Sequence, residues 1–75
     1  MPTVLAHGTW DLLHPGHIEH LRQARAMGDR LVVGVTDDAH VRKGPGRPVH
    51  PVKHRAGMIA ALTMVDEVLV VDGPN

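Results

Sequence analysis

The sequence predicts an α/β fold: a Rossmann-like parallel sheet in the βαβαβ order of a nucleotide-binding half. Three observations predict it. Short β-type apolar runs recur at Thr3–His7, Leu31–Val35 and Glu67–Val71. Segments of helical period separate them. Chain breakers stand at the junctions, at Gly8, Gly28, the stretch from Lys43 to Pro48, and Gly73-Pro74.

The elements follow in order. Thr3 to His7 reads as a strand ended by Gly8, and a polar loop follows. From Pro15 or Gly16 to Met27 the period is helical, with Ile18, Leu21 and Ala24 on one face and Arg22, Gln23 and Arg25 turned away. Gly28 is placed to cap that helix. Leu31 to Val35 is a continuous apolar run, as expected of a strand covered on both faces. Asp37 to Lys43 has room for one helical turn. Pro51 suits the first turn of a helix running to about Met64, with Met58, Ala61, Leu62 and Val65 on one face. Right-handed crossovers then make the three strands parallel.

Composition bounds the chain to one domain, 1–75. A chain of this size buries only about 60% of the surface its unfolded form exposes. With one Trp, no Phe and no Tyr, the core comes from aliphatic residues, and with no Cys nothing braces it covalently. Eight basic residues balance eight acidic ones, which is not the footprint of a nucleic-acid binder. Arg42, Lys43, Arg47, Lys53 and Arg55 gather in one stretch that suits a small polyanion. No apolar run is long enough to span a bilayer, and no basic start with an apolar stretch opens the chain. The expectation is a cytoplasmic protein with no membrane partner.

Seven histidines are the unusual feature of the composition. Gly8 lets a ligand approach the backbone after the first strand. His14 precedes Pro15 and is biased away from helix, while His17 falls in the first helical turn. Amides at a helix start attract phosphate, and two imidazoles beside them would donate to phosphoryl oxygens. His20, His40 and His50 read as surface histidines, and His7 as part of the strand end. A metal triad of His14, His17 and His20 is disfavoured, because Pro15 disturbs the helical register, so no metal site is expected from the chain itself.

Gly8-Thr9-Trp10-Asp11-Leu12-Leu13-His14-Pro15-Gly16-His17 resembles the signature of the cytidylyltransferase-like nucleotidyltransferases: Gly, a small residue, an aromatic, Asp, then His-x-Gly-His. Leu21 to Val35, Asp38, the Lys43 loop, Arg47-Pro48-Val49, Arg55 and Val65 to Val68 resemble later parts of that family in order. Trp10 stands where Phe or Tyr is usual. The Ala24 to Val35 stretch is most similar to phosphoethanolamine cytidylyltransferases. Arg47-Pro48-Val49 is more similar to heptose-1-phosphate adenylyltransferases, and glycerol-3-phosphate cytidylyltransferases are the third related group. Family members continue for roughly another half-domain, so the chain reads as an N-terminal portion.

The resemblance implies transfer of a nucleotidyl group from a nucleoside triphosphate, with CTP favoured over ATP, to a small phosphorylated alcohol. Pyrophosphate is released, and Mg2+ accompanies the triphosphate. The ATP alternative covers a sugar phosphate or flavin nucleotide as acceptor, and a non-catalytic nucleotide-binding module is the other reading. His14 and His17 would hydrogen-bond the triphosphate. Gly8, Thr9, Trp10, Asp11 and Gly16 would form the nucleotide site, with Asp11 either orienting the loop or facing the magnesium–phosphate group. Lys43 would reach the α-phosphate or the acceptor phosphate, or stand as a solvated loop charge. Arg55 would bind acceptor phosphate, stiffen the site, or pair with an acid such as Asp38. Asp66 and Glu67 read as solvent-facing or turn-capping. Apolar edges and faces of a three-stranded sheet suggest a homodimer.

Overall fold

The computed structural model describes residues 2–41 and 50–71. Strand β1 (Thr3–Gly8) leads through the first loop to helix α1 (Pro15–Arg25), then β2 (Arg30–Thr36) and a 3-10 turn at Asp38–His40. Helix α2 (Val52–Ala60) and β3 (Glu67–Val71) complete the order. The sheet order is β1-β2-β3, with both pairings parallel: Leu5 stands opposite Val32, and Gly34 opposite Leu69. This is the predicted parallel α/β arrangement. Lys43 and Arg47 lie outside the described residues.

The alternation of strand side chains decides where the core sits. Ala6, Leu31, Val33 and Val35 point to one face and are buried against Leu21 and Ala24 of α1 and Ile59 of α2. Each fully buried Leu or Ile in that layer contributes about 1.5–3 kcal/mol. On the opposite face Leu5 is 66% exposed and Leu69 47%. Those exposed side chains belong to the flanking strands; β2 itself is covered as expected, with Leu31, Val33, Gly34, Val35 and Thr36 buried and Val32 half-buried. The two crossovers step in the same direction across the sheet, and α1 and α2 pack into the same core on one side of it, as connections of one hand require.

Two local readings change. Helix α1 ends at Arg25 with Ala26 as a right-handed cap, so Gly28 is not its cap. A Cβ on Gly28 would stand 2.2 Å from the Pro2 carbonyl oxygen, which accepts the Asp29 amide at 3.1 Å. Glycine is needed there for close backbone approach. Gly28→Ala should cost about 1–3 kcal/mol through the forced shift. Urea unfolding reads this directly, and an unchanged midpoint would mean that the approach relaxes without cost.

Helix α2 stops at Ala60 rather than near Met64, because the chain must turn back to start β3. The apolar period continues past the stop, since Leu62, Met64 and Val65 still pack on the core. Asp66 is a turn anchor. Its Oδ2 accepts the Leu31 amide at 2.7 Å and lies 3.3 Å from Arg25 Nε, while its own amide donates to the Leu31 carbonyl. Glu67 pairs with Arg30 across the sheet.

Candidate functional site

The loop between β1 and α1 opens at the carboxyl ends of the strands, where folds of this kind place their ligands. It borders an open cavity of about 430 Å³ lined by Gly8, Thr9, Trp10, Asp11, Leu12, His14, His17 and His20. Seven of the eight nucleotide and catalytic residues expected from the sequence, Gly8 to Asp11 with His14, Gly16 and His17, fall in or beside this one place. The eighth, Lys43, lies outside the described residues.

Local sequence fixes the two imidazoles. His14 is the N-cap of α1, with extended backbone at φ −142° and ψ 171°. Its Nδ1 accepts the Gly16 amide at 3.0 Å. In return the His14 amide donates to Nδ1 of His17 at 3.3 Å. This is a capping box in which imidazole nitrogens replace the usual hydroxyl and carboxylate. The rings stack with centroids 3.9 Å apart and planes inclined by 29°. With each Nδ1 accepting, the neutral ring of each histidine carries its proton on Nε2. The cap thereby sets both rings as Nε2–H donors. Gly16 is required by the same contact, since a Cβ there would stand 2.8 Å from His14 Cε1.

The sequence expects bare helix-start amides to meet the phosphate, and the structure corrects this. Pro15 has no amide hydrogen, Gly16 N–H goes to His14 Nδ1, and the His17 and Ile18 amides both go to the His14 carbonyl, at 2.9 and 3.3 Å. The first turn satisfies its own donors. Anion affinity here must come from the imidazoles, the loop and the positive end of the helix dipole.

Trp10 and Gly8 act together. Trp10 takes a left-handed backbone, φ 53°, and is almost fully buried. Its Nε1 donates to the Gly34 carbonyl at 3.0 Å, and its ring meets His17 edge-on at 5.4 Å. A Cβ on Gly8 would stand 3.0 Å from Trp10 Cε2. The space left by Gly8 is thus taken by the indole rather than by a ligand, and Trp10 forms the floor under His17.

Asp11 is buried, and its Oδ1 accepts the His50 amide at 3.2 Å. Of its two expected roles, this geometry matches orientation of the loop. Arg55 is fully buried. Its Nε donates to the His50 carbonyl at 2.8 Å, its Nη1 to the carbonyls of Thr9 and Thr36 at 2.7 Å each, and its Nη2 to Asp38 Oδ1 at 2.6 Å. A guanidinium with those partners and no exposed surface is not placed to meet an acceptor phosphate. The expected phosphate contact of Arg55 gives way to stiffening of the site and pairing with Asp38. Asp38 Oδ1 also accepts the Val52 amide at 2.9 Å, which supplies the helix start that the Pro51 N-cap cannot.

The sequence expects a surface residue at His20, yet it lines the cavity one turn beyond His17. The spacing sets His20 three residues beyond His17 on α1, and only the fold shows that both border the same cavity. Thr36 is buried and its Oγ1 donates to the Gly8 carbonyl at 3.2 Å, tying the loop to β2.

A model of the cytidylyltransferase-like family matches residues 5–74. The bifunctional protein HldE of Methylococcus capsulatus is 57% identical over 72 residues, which is 93% of this chain and 15% of that protein. The bifunctional protein HldE of Alkalilimnicola ehrlichii is 53% identical over 68 residues, 88% of this chain and 14% of that protein. The chain thus spans about a seventh of the length of the curated relatives it matches. Among solved structures, the lipopolysaccharide core biosynthesis protein from Thermoplasma volcanium superposes with a TM-score of 0.85 at 35% identity, covering 92% of this chain and 57% of that one.

Proposed function

The chain belongs to the cytidylyltransferase-like family, and on that premise we propose that it is the nucleotide-binding part of a nucleotidyltransferase acting on a phosphorylated sugar, with ATP as donor. The observation that carries the reading is the stacked His14–His17 pair, locked by its own cap with both Nε2–H groups as donors, on the wall of an open cavity. In this reaction an oxygen of the acceptor phosphate attacks the α-phosphorus of the triphosphate. A P–O bond forms there, and the bond to the β-phosphate oxygen breaks to release pyrophosphate. The attacking phosphate is already ionised, so no general base is required. The chain's own residues position the phosphates and offset their charge. His14 and His17 donate to the triphosphate, and Lys43 is assigned to the α-phosphate or the acceptor phosphate.

Mg2+ enters as part of the nucleotide substrate, held by phosphate oxygens. Asp11 is a poor ligand for it, being buried with Oδ1 engaged by the His50 amide. The preference for ATP and a sugar phosphate is supported by the similarity to the HldE proteins and by the resemblance of Arg47-Pro48-Val49 to heptose-1-phosphate adenylyltransferases. A further support is the 35% identity to a protein named for lipopolysaccharide core biosynthesis, that core being a sugar chain.

The test is a matrix of donors and acceptors: ATP or CTP, each with heptose 1-phosphate, glycerol 3-phosphate or phosphoethanolamine, read as pyrophosphate release. Release only with ATP and the sugar phosphate is the expected result. Release with CTP and an alcohol phosphate would overturn the choice of substrates. Nucleotide binding with no release for any pair would make the chain a binding module.

A further inference from the structure

The cavity carries a third imidazole that the reaction above leaves unused. Three residues of α-helix advance about 4.5 Å, so His20 stands one such step beyond His17 on α1, with His14 at the N-cap, and all three lie on the cavity wall. The His20 ring is 6.4 Å from the Trp10 ring, centroid to centroid, and tilted 30° to it, within the range where aromatic rings attract. Unlike its two neighbours His20 takes no part in the helix cap, and among the described residues neither of its ring nitrogens makes a hydrogen bond. Both nitrogens therefore remain available to a ligand.

His14 and His17 stack with centroids 3.9 Å apart, and His20 lies about 4.5 Å further along the helix than His17. One phosphoryl group can meet the stacked pair together, which leaves His20 to the next phosphate along the chain. An in-line displacement sets the leaving group opposite the attacking oxygen. The acceptor phosphate needs the open edge at the carboxyl ends of the strands, beside His14. The leaving end of the triphosphate then points away from that edge, along α1 toward His20.

We propose that His20 is a binding residue for the distal phosphates of the nucleotide, and so for the pyrophosphate that leaves. This rests on the reading of the cavity as a polyphosphate site. His20 acts on affinity for the triphosphate and takes no part in setting the backbone of the site.

Calorimetric titration of the chain with inorganic pyrophosphate, ATP and AMP tests it, on wild type, His20→Ala and His20→Gln. His20→Ala should weaken pyrophosphate and ATP about 10-fold, as expected for one charge-assisted hydrogen bond. AMP affinity and the thermal midpoint should be unchanged. Gln, which keeps an N–H donor, should recover part of the loss. Equal weakening of AMP, or a shifted midpoint that accounts for the loss, would overturn the assignment by making His20 structural. Undiminished pyrophosphate binding by His20→Ala would overturn it while leaving the polyphosphate site intact. Failure of the wild type to bind either pyrophosphate or ATP would sink the polyphosphate reading itself, and this inference with it.

Discussion

Replacing His17 by Ala should lower the rate of pyrophosphate release about 100- to 1,000-fold, the effect of removing one donor from a site where charge develops. The expectation follows from the tautomer. His17 Nδ1 is engaged by the His14 amide, so the neutral ring carries its hydrogen on Nε2, and the residue lines the cavity. An activity within threefold of wild type would remove His17 from the chemistry.

The same side chain also closes a helix cap, so the alanine variant alone confuses two roles. Loss of a cap costs about 1 kcal/mol, enough to matter in a 75-residue chain. Two substitutions separate the roles. His17→Glu restores the ordinary capping-box residue at that position while placing a negative charge against the phosphates. It should fold with a midpoint near that of wild type and bind ATP at least 100-fold more weakly. His14→Ser keeps an N-cap acceptor for the Gly16 amide but has no group that reaches the cavity, and it should likewise fold well and fail to turn over. Near-normal binding by both variants would reduce the histidine pair to a helix cap.

Much of this site was legible in the sequence. The run from Gly8 to His17 marks the loop, and its place between a strand and a helical period puts it at the carboxyl edge of the sheet. What stayed hidden were contacts between residues distant in sequence. Gly8 invited a ligand-approach reading because nothing local shows that Trp10 folds back over it; that requires the left-handed backbone at residue 10 and a carbonyl 24 residues later. For Arg55 the sequence offers phosphate binding, stiffening or pairing with Asp38, and it does not show the carbonyls of Thr9, Thr36 and His50 that join Asp38 as acceptors. The capping role of His14 and His17 was open to detection, since their spacing is that of a capping box. It was masked by the expectation of Ser or Thr and Glu at those positions. The fold order survived every one of these errors, because period and breakers are local, and right-handed crossovers do the rest.

Arg55 carries the second large expected effect. Its guanidinium joins the carbonyl of Thr9 in the phosphate loop, the end of β2 at Thr36, the entry to α2 at His50, and Asp38. Substitution by Leu removes the donors and leaves three inward-facing carbonyls to find water. At about 1–3 kcal/mol for each unsatisfied buried acceptor, partly relieved where water enters, the loss should be about 3–5 kcal/mol. The Asp38 pair adds little to that figure, since the Asp38 side chain is 46% exposed and screened. A domain of this size has only about 5–15 kcal/mol in total, so Arg55→Leu should be largely unfolded at 37 °C. Arg55→Lys is the more informative variant. One ammonium cannot reach carbonyls on three sides in the planar geometry of the fork, so the variant should fold with an intermediate midpoint and a loosened Thr9 loop. Its affinity for ATP should then fall more than its stability does, because the loop is the part released. If Arg55→Lys lost stability but bound ATP as tightly as wild type, the strut would be holding the helix and sheet together without setting the phosphate loop.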